Sequence, residues 1–269
     1  MTHILSRLLY GTGLIIVAIL AIYYSPWAPF RPFLAFGLAA IVGVVMWEFY
    51  RLSIAKGYDP LDKIGILTGG AYTLSLFLIE QAPWLPFLII SLSLAWGFAY
   101  FMAKGKDPLT NLSVTYFGLL YCAFPLGFIV LIDQAHNDAR LWLLYVIAVT
   151  KLTDVGAFFG GWILGKHPLA PLISPKKTIE GAIAGLIVAT IASVLLGRLL
   201  PMTLIHSLVL GLAIGILAHF GDATESLLKR DAKIKDSNGI PGLGGLLDIV
   251  DSLVFTLPLV YIFSQIVES

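Results

Sequence analysis

Between Gly221 and Asp251 the chain sets Asp222, Glu225, Ser226, Lys229, Arg230, Lys233, Lys235, Asp236, Asp248 and Asp251 around a turn rich in glycine: Gly239, Pro241, Gly242, Gly244 and Gly245. On a helix, Asp222, Glu225 and Lys229 would share a face, as would Asp248 and Asp251. Carboxylates are the hard oxygen ligands that Mg²⁺ takes, and the same ion binds substrate phosphates. Lysine and arginine neutralise the remaining phosphate charge. Glycines let the backbone come close to a phosphate. The stretch therefore points to metal-assisted phosphate chemistry. A solvated loop of ion pairs is the alternative, but Asp251 lies deep enough in an apolar run to need a partner.

Two further clusters lie upstream. Lys151 and Asp154 stand three residues apart inside an apolar run, on one helix face. They read as an ion pair, as lining of a site, or as both, since a charge at the centre of a membrane helix costs about 2.5–3.5 kcal/mol on insertion scales. Ser174, Pro175, Lys176, Lys177, Thr178 and Glu180 read as a helix start, with Pro175 in its first turn and Glu180 favourable to the dipole. Two lysines, two hydroxyls and free amides there would hold an anion, or anchor lipid headgroups. His206 and His219 read as packed residues. Glu48 reads as a side chain reaching for the membrane surface, and Cys122, the one cysteine, as a small buried hydrophobe.

The elements that must position these groups follow from composition. Hydrophobic residues make up 58% of the 269 and charged ones only 12%, with a mean hydropathy of +0.91. A soluble fold could not bury so much apolar surface, so the bilayer must be the solvent. Apolar runs predict an all-α integral membrane protein of about nine transmembrane helices, near 8–24, 33–50, 64–80, 84–102, 111–132, 141–164, 181–200, 202–220 and 246–265. The run 8–24 reads as a retained helix rather than a cleaved leader. Of the 17 basic residues, Arg31, Arg140 and Arg198 fall on one side, Lys151 lies in a span, and the rest fall on the other side. By the positive-inside rule this puts the N-terminus in the cytoplasm and the C-terminus outside. We expect an N-terminal region of five spans over 1–140. A C-terminal catalytic region follows over 141–269, with cytoplasmic loops 165–180 and 221–245. Glycine pairs at 156/160, 181/185 and 211/215 suggest close helix packing, and they allow a homodimer.

In two blocks the sequence resembles the phosphatidate cytidylyltransferase (CDP-diacylglycerol synthase) family. One block is Thr153-Asp154 with Ala157-Phe158, then Ser174-Pro175-Lys176-Lys177-Thr178 and Glu180-Gly181. The other runs from Gly221-Asp222 and Glu225 through Ser226, Leu228-Lys229-Arg230, Lys235-Asp236, Pro241-Gly242 and Gly244-Gly245 to Asp248 and Asp251-Ser252. The resemblance implies transfer of CMP from CTP to phosphatidic acid, in a bacterial cytoplasmic (inner) membrane with the site facing the cytoplasm. It implies Mg²⁺ at Asp222 and Asp248, with a second metal ion allowed, and catalytic roles for Asp222, Lys235, Asp236, Asp248 and Asp251. Substrate contacts would come from Lys151, Asp154, Ser174, Lys176, Lys177, Thr178, Ser226, Lys229 and Arg230. Membrane lipid is an expected partner and nucleic acid is not. The family's pattern has histidine where Leu243 stands and arginines where Ile249 and Trp162 stand. The losses at Leu243 and Ile249 motivate a second reading, an impaired member that binds anionic lipid. The Lys151/Asp154 pair motivates a third, a transporter.

Overall fold

The computed structural model describes residues 31–135, 139–234 and 245–268. The expected span 8–24, Lys235, Asp236, Leu243 and most of the glycine-rich turn lie outside them. Over the described residues the chain is mostly helical. Its helices are α1 (Arg31–Lys56), α2 (Asp62–Leu76), α3 (Leu85–Lys104), α4 (Pro108–Gly118), α5 (Phe124–Ala135), α6 (Ala139–Leu164), α7 (Ile179–Leu196), α8 (Leu204–Asp231), α9 (Leu246–Val250) and α10 (Leu253–Glu268). A π-helical turn, Leu119–Ala123, joins α4 to α5 in one long run. Among the described residues seven helices are long and apolar enough to cross a membrane, so the protein is an α-helical membrane protein.

The expected third span is shorter than the hydropathy suggests. Helix α2 has 15 residues, or about 22 Å at 1.5 Å per residue, against a hydrocarbon core of about 30 Å. Tight turn bonds end it, from the Phe77, Leu78 and Ile79 amides to the carbonyls of Leu74, Ser75 and Leu76.

The contacts divide the chain into two compact units. The first holds α1 to α4, most of α5 and the segment Asp231–Ile249. In it, Gly65 and Gly118 face the Tyr50 ring, where a Cβ would collide. The Tyr50 hydroxyl donates to the Thr115 carbonyl at 2.7 Å, and Thr115 Oγ1 accepts from the Leu61 amide at 2.9 Å. Cys122 is fully buried, as expected.

The second unit holds the end of α5, α6, α7, α8 to Arg230, and the chain from Val250 onward. Its close packing comes from the glycine pairs. Gly156 meets Val188, Gly160 meets Ala184, Gly185 meets His219, and Gly211 meets Ser193. Without side chains at these points the backbones approach and disperse well against each other. The expected homodimer face is thus used within the chain.

One element departs from the helical expectation. Residues Pro168–Ala170 (β1) and Ser174–Thr178 (β2) form a small antiparallel hairpin. Pro175 therefore sits in a strand, not in a helical first turn. Helix α7 starts later, with Thr178 as its cap: Thr178 Oγ1 accepts from the Gly181 amide at 3.1 Å. A proline is tolerated here because β2 has a free edge.

Candidate active site

Helix α6 carries the first pair. Lys151 Nζ lies 3.3 Å from Asp154 Oδ2, the i, i+3 contact that the spacing predicts. It also donates to Ser252 Oγ at 2.9 Å, while Ser252 Oγ donates to Asp154 Oδ2 at 3.1 Å. Ser252 thus closes a triangle between α6 and the chain just before α10.

That chain is broken at this point. Helix α9 ends at Val250, Asp251 and Ser252 form a turn, and α10 begins at Leu253. The helical face that sequence spacing suggested for Asp248 and Asp251 therefore does not exist. Asp251 is only 5% exposed, and its Oδ1 accepts the Ser252 amide. Its charged neighbours are Asp222, Lys151 and Asp154. Gly221 on α8 packs straight onto the Asp251 carbonyl, where any Cβ would collide.

From the other side the hairpin reaches α8. Lys177 Nζ and Asp222 Oδ2 form an ion pair at 2.6 Å. Between hairpin, α6, α7 and α8 lies a cleft of about 510 Å³. Six predicted residues line it: Asp154, Ser174, Lys176, Lys177, Thr178 and Asp222. Phe158, Trp162 and Leu169 form an apolar wall, the first two largely exposed and Leu169 partly so. His219 also lines it; its Nε2–H donates to the Ala182 carbonyl at 3.1 Å, so the ring is both packed and cleft-facing. The cleft thus joins cationic and carboxylate groups to an apolar surface, as a ligand with a phosphate head and a lipid body requires.

The remaining predicted residues sit differently. Lys229 pairs with Glu225 at 2.5 Å, one turn apart, and Glu225 is 1% exposed. Arg230 Nε donates to the Ile173 carbonyl at the hairpin tip, at 3.1 Å. Ser226 is half-buried on α8 and is not part of the cleft lining. Asp248 lies in α9, in the first unit.

Sequence reasoning missed Glu48. It does not reach for the membrane surface but is fully buried. Its two carboxylate oxygens accept the amides of Leu246 at 3.0 Å and Leu247 at 2.7 Å. It thereby satisfies the first N–H groups of α9, the helix that carries Asp248. Only a charge too deep for its helix end could have hinted at this.

Among the described residues no three histidine, cysteine or acidic groups stand together as a ready metal cage. Yet Asp154 and Asp222 line the cleft and Asp251 neighbours them, which brings hard carboxylate oxygens near one another. That fits Mg²⁺, which is commonly held by one or two carboxylates together with substrate phosphates.

A charged cleft carried by apolar helices marks an integral membrane protein built to handle an anionic group. Residues 5–267 match the model of the cytidylyltransferase family. The chain is 30% identical to a phosphatidate cytidylyltransferase of Chlamydia pneumoniae, over 96% of this chain and 91% of that one. It is also 30% identical to one of Haemophilus influenzae, over 94% and 96%, and 32% identical to one of Helicobacter pylori strain J99, over 93% and 88%. The chain belongs to the cytidylyltransferase family.

Proposed function

We propose that this protein is a phosphatidate cytidylyltransferase, transferring CMP from CTP to phosphatidic acid and yielding CDP-diacylglycerol and pyrophosphate. One observation carries the reading beyond family membership: a single cleft holds lysines, carboxylates and an exposed apolar wall. In the reaction a phosphate oxygen of the lipid forms a bond to the α-phosphorus of CTP. The bond from that phosphorus to the bridging oxygen breaks, and pyrophosphate leaves. The nucleophile is already an anion, so positioning and charge neutralisation matter more than a strong base.

Lys176 and Lys177 suit the polyphosphate, with the Ser174 and Thr178 hydroxyls as added donors. Lys151 holds Asp154 and Ser252 in place. Phe158, Trp162 and Leu169 suit the acyl end of the lipid. Asp222, supported by Asp154 and Asp251, would hold Mg²⁺, and Asp248 keeps its proposed metal role on sequence grounds alone. When bound, that ion would draw charge from the phosphoryl oxygens. Lys235 and Asp236 keep their proposed catalytic roles on sequence grounds alone. We also propose about nine spans, with α2 counted as a short one, and a cytoplasmic N-terminus in a bacterial inner membrane, which sets the cleft on the cytoplasmic side. A homodimer would need a surface other than the glycine pairs.

The test uses purified protein in lipid nanodiscs with labelled CTP, phosphatidic acid and Mg²⁺. Label should pass to the lipid, with one pyrophosphate released per transfer. No incorporation by folded protein across several metals and lipids would overturn the assignment. Lipid binding without turnover would instead favour the impaired member that Ile249 and Leu243 motivate.

A further inference from the structure

The cleft's cationic side rests on a weak element. Strands of three and five residues form the hairpin, and an isolated two-stranded hairpin is marginal in water. Besides the Lys177–Asp222 pair, two residues that do not line the cleft hold it. At the base, Glu180 Oε2 accepts the amides of Lys166 at 3.1 Å and His167 at 3.2 Å. Glu180 Oε1 meets His167 Nδ1 at 2.5 Å, and the Ile179 amide donates to the His167 carbonyl at 2.9 Å. At the tip, Arg230 Nε donates to the Ile173 carbonyl. Hydrogen bonds to an ionised group are about twice as strong as neutral ones, so these clamps add to the few ladder bonds of the hairpin itself.

We propose that Glu180 and Arg230 are positioning residues, which clamp the hairpin at base and tip and so set the affinity of the cleft for the anionic nucleotide through Lys176 and Lys177. Released from either clamp, the ribbon would sample more conformations. The lysines would then have to be ordered when the phosphates bind, a cost paid in affinity. The bond-making step would be little changed once the nucleotide is in place. The proposal rests on the reading of this cleft as a polyphosphate site. It gives Arg230 a different part from direct substrate contact.

The experiment is a set of CTP titrations on the nanodisc-embedded protein, by turnover and by equilibrium binding of labelled CTP. Glu180→Ala should raise the KM for CTP about tenfold, with kcat within about twofold. Arg230→Ala should raise it by a smaller factor. Glu180→Gln should recover much of the loss, because its amide oxygen still accepts backbone N–H groups, and it serves if the alanine variant folds poorly. On a Lys176→Ala/Lys177→Ala background, Glu180→Ala should add little, since its effect passes through those lysines. An equal factor on both backgrounds would overturn the positioning role. So would a fall in kcat at unchanged KM, or a loss of thermal stability alone. If the double lysine variant itself kept the wild-type KM, the polyphosphate reading would fall first, and the proposal with it.

Discussion

Glu48 in the first unit and the Lys151 and Lys177 clusters of the second hold their charge in different ways. In the first, Glu48 leans on the main chain and takes two backbone amides, as Tyr50 gives its proton to a backbone carbonyl. In those clusters of the second, side chains answer side chains: Lys151, Asp154 and Ser252 close a triangle, and Lys177 holds Asp222. A carboxylate satisfied by main-chain donors is fixed once the fold forms. A carboxylate satisfied by a lysine can exchange that partner for a phosphate or a cation without unfolding anything. The contrast separates a scaffold from a place where ligands come and go, and it can be broken by mutation.

The largest effect should come from the second unit. Asp222→Asn should lower CMP transfer by about 10³-fold, a loss typical of one preorganised electrostatic group, while the circular dichroism and melting temperature stay near wild type. If the activity survived, the exchangeable-partner view of this cluster would be wrong. Glu48→Ala tests the opposite claim. Two buried amides would lose their acceptor, at about 1–3 kcal/mol each, so the melting temperature should drop by several degrees. Glu48→Gln should lie between. Gly160→Val comes next, because its side chain must enter space that Ala184 fills. Overpacking costs about 1–3 kcal/mol and should appear as lowered thermal stability in nanodiscs. The smallest change should be Tyr145→Phe, which removes a 2.6 Å bond to Ser193 between α6 and α7. Such interhelical bonds average about 0.6 kcal/mol in membranes, so melting should shift by a degree or two and turnover should not change.

Local spacing was readable and distant pairing was not. The Lys151–Asp154 contact, the burial of Cys122 and the glycine packing follow from residues a few positions apart or from a run's apolar character. The lysines of 176–177 and Asp222 were recognisable by type as candidates for phosphate and metal binding. That Lys177 would meet Asp222 was not, because their approach depends on a hairpin that Pro175 disguised as a helix start. Glu48 lies about two hundred positions before the amides it accepts, and nothing periodic links them. The break at Asp251–Ser252 was hidden too, because the apolar run continues through it without a proline or glycine.

The contact of Gly221 with the Asp251 carbonyl draws α8 against the turn before α10. Asp222 follows Gly221 directly, so a Cβ at position 221 would wedge apart the two main chains that carry Asp222 and Asp251. Gly221→Ala should therefore lower thermal stability and CMP transfer together, as no substitution confined to a side chain of the cluster would.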